Sequence, residues 1–173
     1  MKKDFLLVDG YNIIHAWDEL KLVTDTSLEN ARTQLIDILC NYKGYKSHIE
    51  VIVVFDGYMV KGNLGTVYQH SGVNVVYTKE AETADHYIEK TVNRLPRECN
   101  VRVATSDALE QLIILGHGAI RMSAKEFKRE IDSVNEHLRK EYIEKRPLKN
   151  NLLMDNLDEG IQAILETMRR GKV

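Results

Sequence analysis

Three aspartates stand where apolar runs stop, and a fourth follows a further run. Asp9 ends Phe5-Leu6-Leu7-Val8, Asp56 ends Val51-Ile52-Val53-Val54-Phe55, and Asp107 follows Val101-Arg102-Val103-Ala104-Thr105-Ser106. The fourth, Asp85, opens a helical segment shortly after Val73-Asn74-Val75-Val76-Tyr77-Thr78. In an open parallel α/β sheet, ligands bind in the crevice outside the carboxyl ends of the strands. The four carboxylates are expected to converge there. Carboxylates held together repel one another, and a divalent cation relieves that repulsion. The chemistry that suits such a cluster is phosphoryl transfer to water. A bound cation acidifies water and offsets the charge that builds on the phosphate. Oxygen-only ligands favour Mg²⁺ or Mn²⁺ over zinc.

Each aspartate also has a structural reading. Asp9-Gly10-Tyr11-Asn12 has the composition of a turn. Functionally, Gly10 lets the backbone approach a ligand closely, and Asn12 sets a neutral donor and acceptor beside the carboxylate. Thr83 suits a helix cap, and Asp85 is favourable in a first turn. Asp107 and Glu110 satisfy a capping pattern, and Ser106 is either a ligand-binding hydroxyl or a cap. Asp56-Gly57 is a turn dipeptide. Capping and turn chemistry must be invoked four times, a metal site once.

The elements that must position these residues alternate. Strands are expected over 4–9, 50–55, 73–78, 101–105 and 119–122. A helix over 28–43 is announced by the capping box Thr26-Ser27-Leu28-Glu29, with Leu28, Ala31, Leu35, Ile38, Leu39 and Tyr42 on one face. Further helices are expected over 84–94 and 108–115. A long helix opens at Ser123-Ala124-Lys125-Glu126, with Phe127, Ile131 and Val134 at helical spacing. The glycine-rich stretch 57–72 reads as a loop, with room for a short hairpin, near the mouth of the site. Residues 145–156 read as a linker, and 157–170 as an amphipathic helix. The alternation predicts a three-layer α/β fold with an open, mainly parallel five-stranded sheet, flanking helices and a helical C-terminal extension.

Composition narrows the function. A chain of 173 residues builds one core without staples. The formal net charge of -2 argues against a protein that grips nucleic acid by bulk charge, though not against a nuclease with an acidic metal site. Cys40 and Cys99 form no Cys-x-x-Cys pair, so no zinc or redox motif is present. No run reaches the ~18 apolar residues of a membrane span, and a cytoplasmic protein is expected. No Walker loop, Gly-x-Gly-x-x-Gly or Gly-x-Ser-x-Gly motif occurs. Asp-x-Asp, common after strand one of aspartyl-nucleophile phosphatases, is replaced by Asp9-Gly10-Tyr11. Lys125 and Arg129, with Lys128 and Arg121, lie where one helix face can meet a phosphate backbone. Tyr11 and Trp17 are either base-stacking or packing aromatics.

Asp9-Gly10-Tyr11-Asn12, Val54-Phe55-Asp56-Gly57, Thr83-Ala84-Asp85 and Ala104-Thr105-Ser106-Asp107, in this order, resemble the NYN domain, more specifically its YacP-like bacterial branch. Any one motif alone would not be specific. The resemblance runs over about residues 4–145, so an NYN domain over 1–145 and an extension over 146–173 are expected. It implies a PIN-like nuclease fold and a metal-dependent endoribonuclease. Asp9, Asp85 and Asp107 then look like metal-binding carboxylates, Asn12 and Ser106 like supporting polar residues, and Asp56 like the family's second strand-end aspartate. The branch is associated with ribosome-linked mRNA decay, which would let a ribosome deliver the RNA. A DNA nuclease of the same fold and a non-catalytic RNA- or ribosome-binding module are the alternatives.

Overall fold

The computed structural model describes residues 3–57, 65–79, 81–107 and 118–144. The chain divides into two units, Met1–His137 and Leu138–Val173. The sheet and every expected site residue lie in the first. The expected helices over 108–115 and 157–170 and the linker over 145–156 lie outside the described residues.

The elements are β1 (Asp4–Asp9), α1 (Gly10–Ala16), α2 (Asp18–Thr24), α3 (Leu28–Tyr45), β2 (Ile49–Phe55), β3 (Thr66–His70), β4 (Val73–Tyr77), α4 (Ala84–Arg94), β5 (Asn100–Ala104), β6 (Ile120–Met122) and α5 (Ala124–Glu144). They build one six-stranded sheet in the order β3-β4-β2-β1-β5-β6. The strands pair in parallel except β3, which runs antiparallel to β4. The sheet is open and mainly parallel, as expected, with six strands in place of five. The extra strand comes from the glycine-rich stretch. Ser71 and Gly72 both adopt positive φ, 46° and 84°, the conformation of a tight hairpin turn whose twist suits the flanking strands. All of β3 is exposed, so it carries no buried-strand pattern to read.

Strand periodicity sorts the layers. Leu7, Val54, Val76, Val101 and Val103 point to one face and pack against Ala84, Ile88 and Val92 of α4. Leu6, Val8, Val51, Val53 and Val75 alternate with them and are buried on the opposite side, where α1 and α3 pack. The ring of Phe127 on α5 packs against Trp17 and Tyr42, with centroids 5.5 Å and 5.9 Å away. Trp17 Nε1 donates to the Ala124 carbonyl at 2.9 Å, which ties the α1–α2 junction to α5. Among the described residues no helix is long and apolar enough to cross a membrane.

Arg102 departs from the apolar pattern of β5. Its guanidinium donates to both Glu130 carboxylate oxygens, at 3.2 Å and 2.9 Å, and to the Tyr42 hydroxyl at 2.9 Å. Tyr42 in turn donates to Glu130 at 2.5 Å. Burial, then the bond to Glu130, pushes the Tyr42 hydroxyl up to about 12. Removing one partner of such a set leaves a desolvated charge behind, at a cost of about 3–5 kcal/mol when burial is complete. Arg102 and Glu130 keep 22% and 26% of their side-chain surface exposed. Glu130→Ala is therefore expected to cost about 2–3 kcal/mol, read as a lower urea midpoint at an unchanged slope. A midpoint within error of the native chain would show that water replaces the carboxylate at no cost.

Candidate active site

The parallel strands all deliver their carboxyl ends to one edge. Sheet order reverses at β1, with β2 on one side and β5 on the other. This is the switch point beside which open α/β sheets bind ligands. Asp9 sits there as the last residue of β1 and the N-cap of α1, only 3% exposed. Its Oδ1 accepts the Asn12 backbone N–H at 3.0 Å, and its Oδ2 accepts Asn12 Nδ2 at 2.8 Å. Ser106, just after β5, donates its hydroxyl to Asn12 Oδ1 at 2.6 Å. A polar chain Ser106–Asn12–Asp9 thus spans the switch point.

Asp85 approaches from the other layer, in the first turn of α4. Two contacts hold that turn. Thr83 Oγ1 accepts the His86 N–H at 3.3 Å, and Asp56 Oδ1 accepts the Ala84 N–H at 2.7 Å. The helix therefore starts against the end of β2, with exposed Asp85 facing buried Asp9. Burial pushes the Asp9 carboxyl up to about 6; the bonds from Asn12 pull the other way, and the charge of Asp85 adds to the rise. Burial raises Asp56 as well, the Ala84 N–H opposes it, and Asp85 again adds to the rise.

The structure thus brings together Asp9, Asp85, Asp56, Asn12 and Ser106. Asp107 is half-buried on the β5 side, with its N–H donating to Thr105 Oγ1 at 3.1 Å. Among the described residues, no three His, Cys, Asp or Glu side chains are gathered closely enough to cage a metal. Glu82 is turned to Lys90, at 3.3 Å.

Lys125 and Arg129 are exposed on the first turns of α5. With Ser106 and Ser123 they line a groove of about 550 Å³ beside the polar chain. Ser123 and Glu126 form the expected capping box at the start of α5. Lys128 lines the same groove but is already paired. It pairs with Glu19 at 2.8 Å and Asp132 at 2.7 Å and lies over the Trp17 ring. Trp17 and Tyr11 are buried, which favours packing over base stacking for both.

Two features had no signal in the sequence. One is the pair of short helices α1 and α2, the first of which opens within Asp9-Gly10-Tyr11-Asn12, a stretch of turn composition. The other is Arg32, whose guanidinium donates to the Tyr11 hydroxyl at 2.9 Å. On α3 it reads as one more exposed helix cation.

The model of the YacP-like NYN domain family matches residues 6–170. The chain belongs to this family. The match runs past residue 145 and takes in residues that the four motifs leave out. The chain is 40% identical over 169 residues to YacP of Bacillus subtilis strain 168, described as an uncharacterized protein, covering 97% of this chain and 98% of that one. It is similar to the crystal structure of Rae1 (YacP) from Bacillus subtilis, with a TM-score of 0.70 and 39% identity, covering 97% of this chain and 95% of that one. A tryptophan-to-leucine mutant of that Bacillus subtilis protein superposes with a TM-score of 0.71 at 34% identity, covering 95% and 99%. NYN domains belong to the nuclease superfamily, so membership supports a hydrolase acting on nucleic acid.

Proposed function

We propose that this YacP-like NYN domain is a divalent-metal-dependent endoribonuclease that cleaves mRNA in a ribosomal context. The observation that carries the reading is Asp9. A carboxylate 3% exposed, with Asp85 beside it, is held at the switch point of the sheet. A fold does not keep a buried carboxylate beside a second one without a reason, because the buried charge destabilises it.

The donor set fits Mg²⁺ or Mn²⁺. Mg²⁺ keeps several of its waters and is held by one or two carboxylates plus substrate phosphates, so a full protein cage is not required. Asp9 and Asp85 would hold the ion, with Asp107 joining from the β5 side. When bound, the ion supplies a more acidic water and a counter-charge for the phosphate. The chain's own residues do the rest. Asn12 locks the Asp9 carboxylate in one rotamer through two hydrogen bonds, and Ser106 fixes Asn12 in turn. Asp56 acts as a brace for α4, since one of its oxygens holds the Ala84 N–H. Its other oxygen would be available to the ion. Lys125 and Arg129 take backbone phosphates beside the scissile bond, with Asn12 within reach of the same strand. A net charge of -2 suits delivery of the RNA by a ribosome rather than capture by charge.

The test is RNA 5′-end mapping in an active bacterial translation mixture with Mg²⁺. The native chain is compared with an Asp9→Asn/Asp85→Asn variant, with and without an inhibitor of translation. New ends made only by the native chain, and lost on inhibition, are expected. The same ends from the variant would remove the nuclease assignment and favour a binding module. A binding result is expected alongside. Mn²⁺ at about 100 times its Kd adds ~2.7 kcal/mol to folding, which for a chain of this size is roughly 5–11 °C in Tm. The double variant should show no such shift, and an equal shift in both would place the ion elsewhere.

A further inference from the structure

Four aromatic rings form a row from the first turn of α1 across the ends of β2 and β4 to the middle of β3. Tyr11 meets Phe55 edge-on at 5.3 Å between centroids. Phe55 stacks on Tyr77 at 5.4 Å, and Tyr77 on Tyr68 at 6.4 Å with 20° between planes. The row starts at the first turn after Asp9 and ends on the edge strand β3. Burial falls from Phe55 outward. Phe55 is fully buried, Tyr77 is half-buried, and Tyr68 is 41% exposed. Arg32 is bonded to Tyr11, and its guanidinium lies 5.9 Å over the Tyr77 ring. Core packing accounts for Tyr11 and Phe55. Tyr68 packs on Tyr77 but leaves the rest of its ring open to solvent, on a strand whose five residues are all exposed.

We infer that Tyr68 and Tyr77, with the Arg32 guanidinium, form a stacking subsite for unpaired bases of the RNA strand that passes Asp9 and Asp85. The inference rests on the nucleic-acid reading of that site. Every base has a π-face, and rings already parallel accept one without reordering. Arg32 is held in place by Tyr11, so it offers a cation to base or phosphate at little further entropic cost. Strands lie about 4.7–4.9 Å apart, which sets β4 and β3 about 10–14 Å from β1, within the span of a few nucleotides. Lys125 and Arg129 lie across the switch point on the β5 side, so a strand crossing the edge meets phosphate contacts on one side of Asp9 and stacking on the other. A duplex hides its base faces, so the subsite selects single-stranded RNA.

The probe is a single-stranded RNA hexamer carrying 2-aminopurine, titrated with native chain in EDTA so that binding is read without turnover. Stacking quenches the fluorophore. Native chain should quench it, Tyr68→Ala should weaken binding roughly 5- to 150-fold, and Tyr68→Phe and Tyr68→Trp should keep it. The same hexamer in a duplex should not compete. Tyr68 is exposed, so the variants are expected to match the native far-UV circular dichroism. No quenching by native chain, equal binding by Tyr68→Ala, or loss in Tyr68→Phe equal to that in Tyr68→Ala would overturn the inference. The last outcome would assign the effect to the hydroxyl or to protein docking on the β3 edge. Asp9-dependent cleavage without Tyr68-dependent quenching would sink the subsite alone. Quenching without Asp9-dependent cleavage would sink the nuclease reading alone.

Discussion

Asp9→Asn is expected to lose RNA cleavage by at least roughly 10³-fold, the scale set by removing preorganised charge from an active site, and yet to melt higher than the native chain at pH 8 in EDTA. The two effects share one cause. The folded carboxyl titrates at about 6, against 3.8 for an ordinary aspartate. Below pH 3.8 it is protonated folded and unfolded, and it contributes nothing. Between 3.8 and 6 only the folded chain holds the proton, so stability falls as pH rises. Above about 6 the group is ionised in both states and the full penalty, about 3 kcal/mol, is present. Asparagine removes that charge. It also removes one acceptor, because Asp9 uses both oxygens to receive Asn12, at about 1 kcal/mol. The net gain of about 1–2 kcal/mol corresponds to roughly 2–8 °C in Tm. The gain should shrink towards pH 4 and reverse in millimolar Mn²⁺, which stabilises only the native chain. A variant that melts lower than native at pH 8 and the same at pH 4 would show that the buried carboxylate is already neutralised within the fold.

Gly10→Ala is expected to be the most damaging single methyl group in the described chain. A Cβ built at Gly10 falls within the van der Waals envelope of the Phe55 ring, with Cζ at 2.9 Å. That ring is fully buried and is held between Tyr11 and Tyr77, so it has nowhere to swing. Overpacking of this kind costs about 3 kcal/mol, or roughly 6–12 °C in Tm. Gly10 lies between Asp9 and Asn12, so the shift also disturbs the two bonds that orient the carboxylate. Phe55→Leu makes room at the same point. The double variant Gly10→Ala/Phe55→Leu should be more stable than the sum of the single effects by about 1 kcal/mol or more, the coupling expected of residues in contact. Additive losses would mean that the backbone at Gly10, rather than the ring, limits substitution.

Most of the framework is legible locally. α4 spans the residues expected of it, because Thr83 and the stop before Pro96 are short-range signals. α3 begins at Leu28, as its capping box requires, with Ser27 accepting the Asn30 N–H. Its end is two residues later than expected, and Ile36 rather than Ile38 completes the buried face. α1 and α2 were not legible. Each spans seven residues, too few for a helical period to stand out, and Asp9-Gly10-Tyr11-Asn12 has turn composition. They fold as helices because Ile13, Ile14, Trp17 and Leu20 are buried, with α1 packed on β1, β2 and α3 and α2 on α3, and tertiary packing overrides weak local preference.

Residue order, period and capping suffice to show that strands end in aspartates, that the fold is α/β, and that the chain carries the four NYN motifs. They do not show how the aspartates differ; packing in three dimensions does. β1 lies at the switch point between β2 and β5, so Asp9 is the buried carboxylate. The start of α4 leaves Asp85 exposed beside it, and Asp56 is tied to the Ala84 N–H. Burial and charge repulsion depend on distance in space, and strand order sets that distance independently of spacing along the chain.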